Sequence, residues 1–151
     1  MKNIDLYYRI CIFLALYNQR KKFDDLGGFL GVASMISYRE NPFNPIGLER
    51  RMVDVCIWHD WLRVIGLEYL VFEPITNHFS VIQYIKKTGD IEIQDDKQFD
   101  YLLNFLKYIE QDWDYDWKVL YFDLNNDLQT KKEWDNSLLL LKVYLKKGFR
   151  Q

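Results

Sequence analysis

The stretch IDLYYRICIFLALYNQRK, residues 4–21, decides the class of fold. Its apolar side chains recur every three to four residues from Ile4 to Ala15, which is the spacing of one face of an α-helix. Asn3 precedes the segment as a candidate N-cap, and Arg20 ends it with a positive charge that suits the C-terminal end of a helix dipole. We therefore predict a helix over residues 4–21.

Helical periodicity continues along the chain outside this stretch. It predicts helices over 26–37 and 46–65, the latter ended by Gly66, and three more that begin near Thr76, Asp95 or Asp96, and Thr130. Residues 67–73, 90–94 and 117–124 carry β-forming or alternating side chains, so a minor β element at one of them stays open. The predicted fold class is mainly α: one domain over residues 1–151, built as a bundle of about five to six helices.

The composition excludes several classes of protein. With 49% apolar and 17% aromatic residues, the chain is too rich in core-forming side chains for disorder. A net charge of -2 argues against a general nucleic-acid binder. The sequence contains no apolar run of about 20 residues and no signal-peptide pattern at its start. Cys11 and Cys56 make no disulfide framework, so we expect a cytoplasmic protein.

The near-neutral total hides a segregation of charge. Residues 90–127 hold eleven acids and three bases, a net charge of -8. Residues 1–22 hold five bases and one acid, and residues 131–151 hold six bases and two acids, which is +4 for each segment. We therefore predict an acidic surface on the part of the fold that residues 90–127 form.

The most concentrated acidic piece is EQDWDYDW, residues 110–117, in which acids alternate with large aromatics. Aromatic side chains supply much of the binding energy at protein interfaces, and carboxylates would pair with the bases of a partner. An alternative is a strand whose aromatic face is core and whose Asp face is solvated. The predicted partner-binding residues are Asp112, Trp113, Asp114, Tyr115, Asp116 and Trp117, with Asp123 and Asp127 as outliers.

A catalytic site would have to be built around His59, because Trp58-His59-Asp60-Trp61 sets a histidine beside an acid. A small hydrolase or nuclease that uses Asp54, His59 and Asp60 is the alternative function from another class. Adjacent helical residues do not face each other, however, so Asp60 is poorly placed to orient His59. Patterns for metal ligands or a cofactor are absent from the sequence, and we predict neither, nor an enzyme.

Three motifs in the first 65 residues resemble a family of small bacterial immunity proteins. The motifs are Tyr8-Arg9-Ile10, then DDLGGFLG at residues 24–31, and last Trp58-His59-Asp60-Trp61-Leu62. The family accompanies contact-dependent growth inhibition toxins and related polymorphic toxins. The chain departs from the family's pattern at 41–45, and the acidic segment lies beyond the part that the pattern covers.

This resemblance implies a helical, cytoplasmic inhibitor that binds the C-terminal domain of one cognate toxin and blocks its active site. Many such toxins are nucleases with basic clefts, which an acidic, aromatic-rich surface would complement. The partner is then a protein, and neither a nucleic acid nor a membrane is expected. A regulatory adaptor or an inhibitor of another protein would use the same surface and stays open.

Overall fold

The computed structural model describes residues 1–33, 36–38, 48–50, 55–67, 78–110 and 115–147. These residues form seven α-helices, one short β-hairpin and a 3-10 turn at Asp95–Lys97. In chain order the elements are α1 (Asn3–Lys21), α2 (Asp24–Ala33), β1 (Ile36–Tyr38), β2 (Leu48–Arg50), α3 (Val55–Val64), α4 (His78–Gly89), α5 (Gln98–Glu110), α6 (Tyr115–Asn126) and α7 (Leu128–Lys147). The predicted mainly α fold is confirmed, with one helix more than expected.

The hairpin lies where two helices were predicted. β1 pairs antiparallel with β2, with Ile36 opposite Arg50 and Tyr38 opposite Leu48. The helices predicted over 26–37 and 46–65 are therefore wrong at these strands, and they shorten to α2 and α3. A strand of three residues is too short to show a period of its own, and cross-strand pairing overrides the local helical pattern.

The proposed β elements have different outcomes. Residues 117–124 are helical within α6. Near 90–94 the pairing is limited to an isolated bridge between Lys2 and Glu92, where the Ile93 amide donates to the Met1 carbonyl at 2.7 Å. Of the residues 67–73, all but Leu67 lie outside the described part of the chain.

Helix α1 forms the centre of the core. Every residue from Leu6 to Leu14 is buried, so this helix is covered on all sides. It packs along α7 and also contacts α2 and α4. A helix with apolar side chains around its whole circumference is the one a bundle encloses, and each fully buried large side chain contributes about 1.5–3 kcal/mol.

Helix α3 ends where the sequence predicted, at Gly66. Gly66 has φ 77°, a left-handed conformation that glycine adopts without strain. Its amide donates to the Arg63 carbonyl at 3.1 Å, and the Leu67 amide donates to the Leu62 carbonyl at 2.7 Å. This pair of bonds satisfies the last carbonyls of the helix and fixes the direction in which the chain leaves it.

The sequence alone indicates that the three glycines of α2, Gly27, Gly28 and Gly31, allow close packing against a neighbouring helix. A Cβ atom at Gly27 would lie 3.4 Å from the Asn18 side chain, an ordinary contact, whereas one at Gly28 or Gly31 would meet nothing within 4 Å. The prediction is therefore wrong at Gly28 and Gly31. The close approach in this molecule is at Gly89, where a Cβ atom would lie 2.9 Å from Cβ of Ile4.

Candidate functional site

The predicted partner-binding residues fall into three groups in the structure. Residues 112–114 (Asp112, Trp113 and Asp114) lie outside the described residues. Tyr115 and Asp116 are the first two residues of α6. The remaining three residues have described side chains, and all three make contacts within the molecule.

Trp117 is part of the core and not of the surface, which corrects its assignment as a partner-binding residue. It is 1% exposed, and its ring meets that of Phe29 edge-to-face, with centroids 4.9 Å apart. The alternation of acids and aromatics suggested a period of two. Because this segment enters a helix, Trp117 shares the inner face with Leu120 and Leu124 instead.

The indole nitrogen of Trp117 is buried and has no hydrogen-bond partner among the residues that the structure describes. A buried donor that lacks an acceptor costs about 1–3 kcal/mol relative to a satisfied one. Trp58 and Trp61 differ from it, because each donates from its indole to a buried side-chain oxygen.

Asp123 is also corrected, since its carboxylate is directed into the molecule. It accepts a hydrogen bond from the Tyr17 hydroxyl at 2.7 Å and lies 3.5 Å from the Lys21 ammonium. Burial, together with this hydrogen bond to Asp123, raises the pKa of Tyr17 well above its usual value. The side chain therefore ties α6 to α1.

Asp127 immediately precedes α7 and caps it, the role that the sequence assigned to Thr130. Its Oδ2 accepts from the Thr130 amide at 3.1 Å and from the Thr130 hydroxyl at 2.7 Å. The hydroxyl bond is the main reason that the pKa of Asp127 is lowered, with a further contribution from Arg20. Asp127 thus stabilises the first turn of a helix.

Positive charges of the first 22 residues pair with acids of residues 90–127, and Arg20 also pairs with Glu133 of the C-terminal segment. At the C-terminal end of α1, Arg20 bonds Glu133 at 2.7 Å and lies 3.5 Å from Asp127. At its N-terminal end, the Met1 ammonium lies 2.9 Å from Glu92, and the Lys2 ammonium lies 3.5 Å from a neighbouring acid, Asp90. Several of the acids counted as surface charge are therefore paired with bases of the same chain, although Asp90 and Glu92 remain exposed.

Phe122 is the surface aromatic that the sequence analysis missed. Its side chain is 62% exposed and lies on α6, the helix that follows the acidic segment. Helical periodicity would have found it, because Phe122 is offset from the buried positions Trp117, Leu120 and Leu124. Interpreting 117–124 as a strand assigns alternate residues to each face, so it does not place Phe122 on the side opposite the buried residues.

Two residues of the alternative catalytic site, His59 and Asp60, are each hydrogen-bonded to a different tyrosine. His59 Nδ1 lies 3.0 Å from the Tyr84 hydroxyl on α4, and Asp60 accepts from the Tyr108 hydroxyl on α5 at 3.2 Å. Asp54 lies outside the described residues. Among the described residues, no group of three or more His, Cys, Asp and Glu side chains is arranged to hold a metal ion.

The tryptophans that flank His59 belong to a buried polar network. Trp58 donates to the Thr88 hydroxyl at 2.9 Å, and Trp61 donates to the Asn3 side-chain oxygen at 2.7 Å. Asn3 in turn donates to the Thr88 carbonyl at 3.0 Å. Asn3 is therefore a buried residue of α1 and not the predicted N-cap, and the tryptophan motif holds α1, α3 and α4 together.

The comparisons with known proteins add no relative. No family model, curated protein or solved structure matches the chain. Within the described residues, no helix is long and apolar enough to span a membrane.

Proposed function

We propose that the protein is an immunity-type inhibitor that acts in the cytoplasm and binds the C-terminal domain of a cognate toxin, a nuclease. The observation that carries the proposal is the exposed aromatic ring of Phe122, on the helix that begins inside the acidic segment. Buried large aromatics at the centre of an interface supply a large share of binding energy, and an aromatic left in solvent is available for that role. The resemblance of residues 1–65 to immunity proteins supports the same class.

The proposed interface differs from the one that the sequence suggested. It omits Trp117, Asp123 and Asp127, whose side chains make contacts within the molecule. It keeps residues 112–116 and adds Phe122, which follows position 115 by seven residues and so lies on the same side of α6. The carboxylates of residues 112–116 would complement a basic cleft that binds nucleic-acid phosphates, and the exposed ring of Phe122 would add apolar contact.

The contacts of His59 and Asp60 favour binding over catalysis. A general base needs an orienting partner within hydrogen-bond reach, and here each of the two side chains is directed to a different tyrosine. Both contacts join α3 to a neighbouring helix, which is a structural role.

The first experiment is a pull-down from the native host with the tagged protein, followed by mass spectrometry and a growth assay of what is recovered. We expect the C-terminal fragment of a large secreted protein that arrests growth when expressed alone and is harmless with this protein. Recovery of no growth-inhibiting fragment, under conditions where the toxin is made, would contradict the proposal.

The interface is tested with variants of matched charge. Asp112→Lys/Asp114→Lys should weaken toxin binding at least about tenfold, because two attractive pairs become repulsive. Asp96→Lys/Asp100→Lys makes the same change at exposed positions outside the interface and should bind as the wild type does. Equal binding by both variants would remove the acidic segment from the interface.

The aromatic contribution is tested separately with Phe122→Ser, compared with Leu145→Ser on α7. Both side chains are exposed, so neither change should affect the free energy of unfolding by more than about 0.5 kcal/mol. We expect Phe122→Ser alone to weaken toxin binding. Wild-type affinity of Phe122→Ser would exclude this ring from the contact.

A further inference from the structure

A groove runs between the C-terminal half of α1 and the exposed side of α7. It has a volume of about 550 Å³, and the half-buried side chains of Leu16 and Leu140 lie on its lining. Gln129 and Asn136 line it with exposed amides. The groove thus combines recessed apolar surface with polar side chains that can accept and donate hydrogen bonds.

Exposed apolar side chains extend from this groove along α7. Leu139 borders the groove and is 61% exposed, and Val143, one turn further on, is 46% exposed. Leu128, three turns before Leu139, is also exposed and lies on the same side of the helix. This side of α7 spans about 22 Å from Leu128 to Val143, the length of four helical turns, and the exposed Lys132 and Asp135 lie on it between Leu128 and Leu139.

The charge around these apolar side chains is positive. The side chains of Lys131, Lys132, Lys142 and Lys146 are exposed, and none of them makes an ion pair with another described residue. Asp135 is the exposed acid of the helix, and the carboxylate of Glu133 is already bonded to Arg20 at 2.7 Å. A ligand at this surface therefore meets more unpaired positive than negative charge.

We propose that the α1–α7 groove binds an acidic amphipathic helix of another protein. Such a helix would place apolar side chains at i, i+4 and i+7 against Leu16, Leu139 and Val143, and its carboxylates near the lysines of α7. The groove lies on α1 and α7 and is surrounded by positive charge, whereas the interface around Phe122 lies on α6 and is acidic. Binding in the groove therefore goes beyond the proposed function and can fail independently of it.

The shape of the groove favours a helix over a lipid surface. Leu16 and Leu140 are half-buried, whereas Gln129 and Asn136 beside them are exposed. A flat bilayer surface cannot reach recessed apolar atoms without covering those amides, whereas a helix inserts between two ridges of side chains. Charge complementarity selects an acidic helix over a basic one.

The test uses a labelled, designed peptide of about five helical turns, with Leu at i, i+4 and i+7 and Glu at the other positions. Fluorescence anisotropy with the full-length protein should give saturable binding. A peptide with Lys in place of every Glu should bind at least about tenfold more weakly.

The matched variants are Leu139→Glu and Leu145→Glu. They add the same charge to the same helix, but Leu145 does not line the groove. Leu139→Glu should weaken peptide binding at least about tenfold, and Leu145→Glu should leave it unchanged. Circular dichroism checks that both variants keep the helical content of the wild type.

Four results would overturn the proposal. The acidic peptide would show no saturable binding, or Leu139→Glu would bind it as tightly as Leu145→Glu does. Vesicles that contain phosphatidylserine would bind the protein in place of the peptide, which would assign the surface to a membrane. Sedimentation would detect a dimer that Leu139→Glu dissociates, which would assign the surface to a second copy of this chain.

Discussion

Helix α1 holds its two arginines, Arg9 in its N-terminal half and Arg20 near its C-terminal end, in different ways. Arg9 is 6% exposed, and its guanidinium donates to the Ser137 hydroxyl, the Gln98 side-chain oxygen and the Trp134 carbonyl, which are all neutral. It also stacks 3.6 Å from the centroid of the Trp134 ring. Arg20, three turns later, is bonded to the carboxylate of Glu133.

The pKa values of the two side chains record this difference. Burial lowers the pKa of Arg9 to about 10, because the charged form loses solvation that its neutral partners only partly replace. The bond to Glu133 raises the pKa of Arg20. Arg9 remains charged at neutral pH and fixes how α1, α5 and α7 fit together, whereas Arg20 neutralises acids that the sequence alone would place on a surface.

The largest effect on stability is expected for Arg9→Ala, which removes the buried arginine of the pair. The change leaves the buried Gln98 side-chain oxygen without its donor and opens a space beside Trp134, while Ser137 and the Trp134 carbonyl keep the hydrogen bond between them, so the free energy of unfolding should fall by about 3 kcal/mol. Urea unfolding followed by circular dichroism measures it. A decrease in the free energy of unfolding of less than about 1 kcal/mol would mean that neighbouring side chains rearrange to fill the space left by Arg9.

A smaller effect is expected for Trp61→Phe, which leaves the Asn3 oxygen without its donor. Stability should fall by about 2 kcal/mol. Trp117→Phe is the matched control, because it removes an indole nitrogen that has no partner, and the gain offsets part of the lost packing. Equal losses in the two variants would show that ring size, and not hydrogen bonding, decides the cost.

Arg20→Ala should cost about 1 kcal/mol or less, because its ion pairs are partly exposed. The loss should shrink at high salt, which screens such pairs, while the loss from Arg9→Ala should not change. Unfolding at low and high sodium chloride separates the two. If the stability lost in Arg20→Ala did not depend on salt, the contrast between a buried Arg9 and an ion-paired Arg20 would be wrong.

The ion pair of Asp127 with Arg20, at the C-terminal end of α1, also predicts that stability depends on pH. Because the folded-state pKa of Asp127 lies below its usual value near 3.8, its stabilising contribution is present above that pH and is lost as the pH falls through the folded-state pKa. Asp127→Asn should therefore differ from the wild type in stability at pH 7 and approach it in acid. A difference that persists at the lowest pH would rule out the carboxylate as its source.

Local signals explain what the sequence predicted correctly. The period of α1 and the glycine that ends α3 act over one or two turns, so a single sequence reveals them. The acidity of Asp123 and Asp127 is equally visible, but their partners on α1 are more than a hundred residues away in the chain. No pattern within a segment could have shown that these acids pair with side chains of α1.

The candidate site was predictable only in part for the same reason. Trp117 and Phe122 are both aromatics of one short segment, and the helical period decides which of them faces the core. The alternation of acids and aromatics at 110–117 has a period of two, and it favoured a strand. Once α6 is known to be a helix, Trp117 lies in the core, and Phe122, to which the sequence assigned no role, is the exposed aromatic.

The smallest effects on stability are expected at two glycines, Gly28 and Gly89. Their expected signs are opposite. Gly28 is exposed in the middle of α2 with open space where a Cβ atom would lie, so Gly28→Ala should stabilise the protein by about 0.5–1 kcal/mol. Gly89→Ala is the control at the tightly packed end, where the new atom would approach Ile4 and stability should fall. Thermal unfolding measures both. If Gly89→Ala also stabilised the protein, the N-terminal end of α1 would be packed less tightly against α4 than the approach of Gly89 to Ile4 indicates.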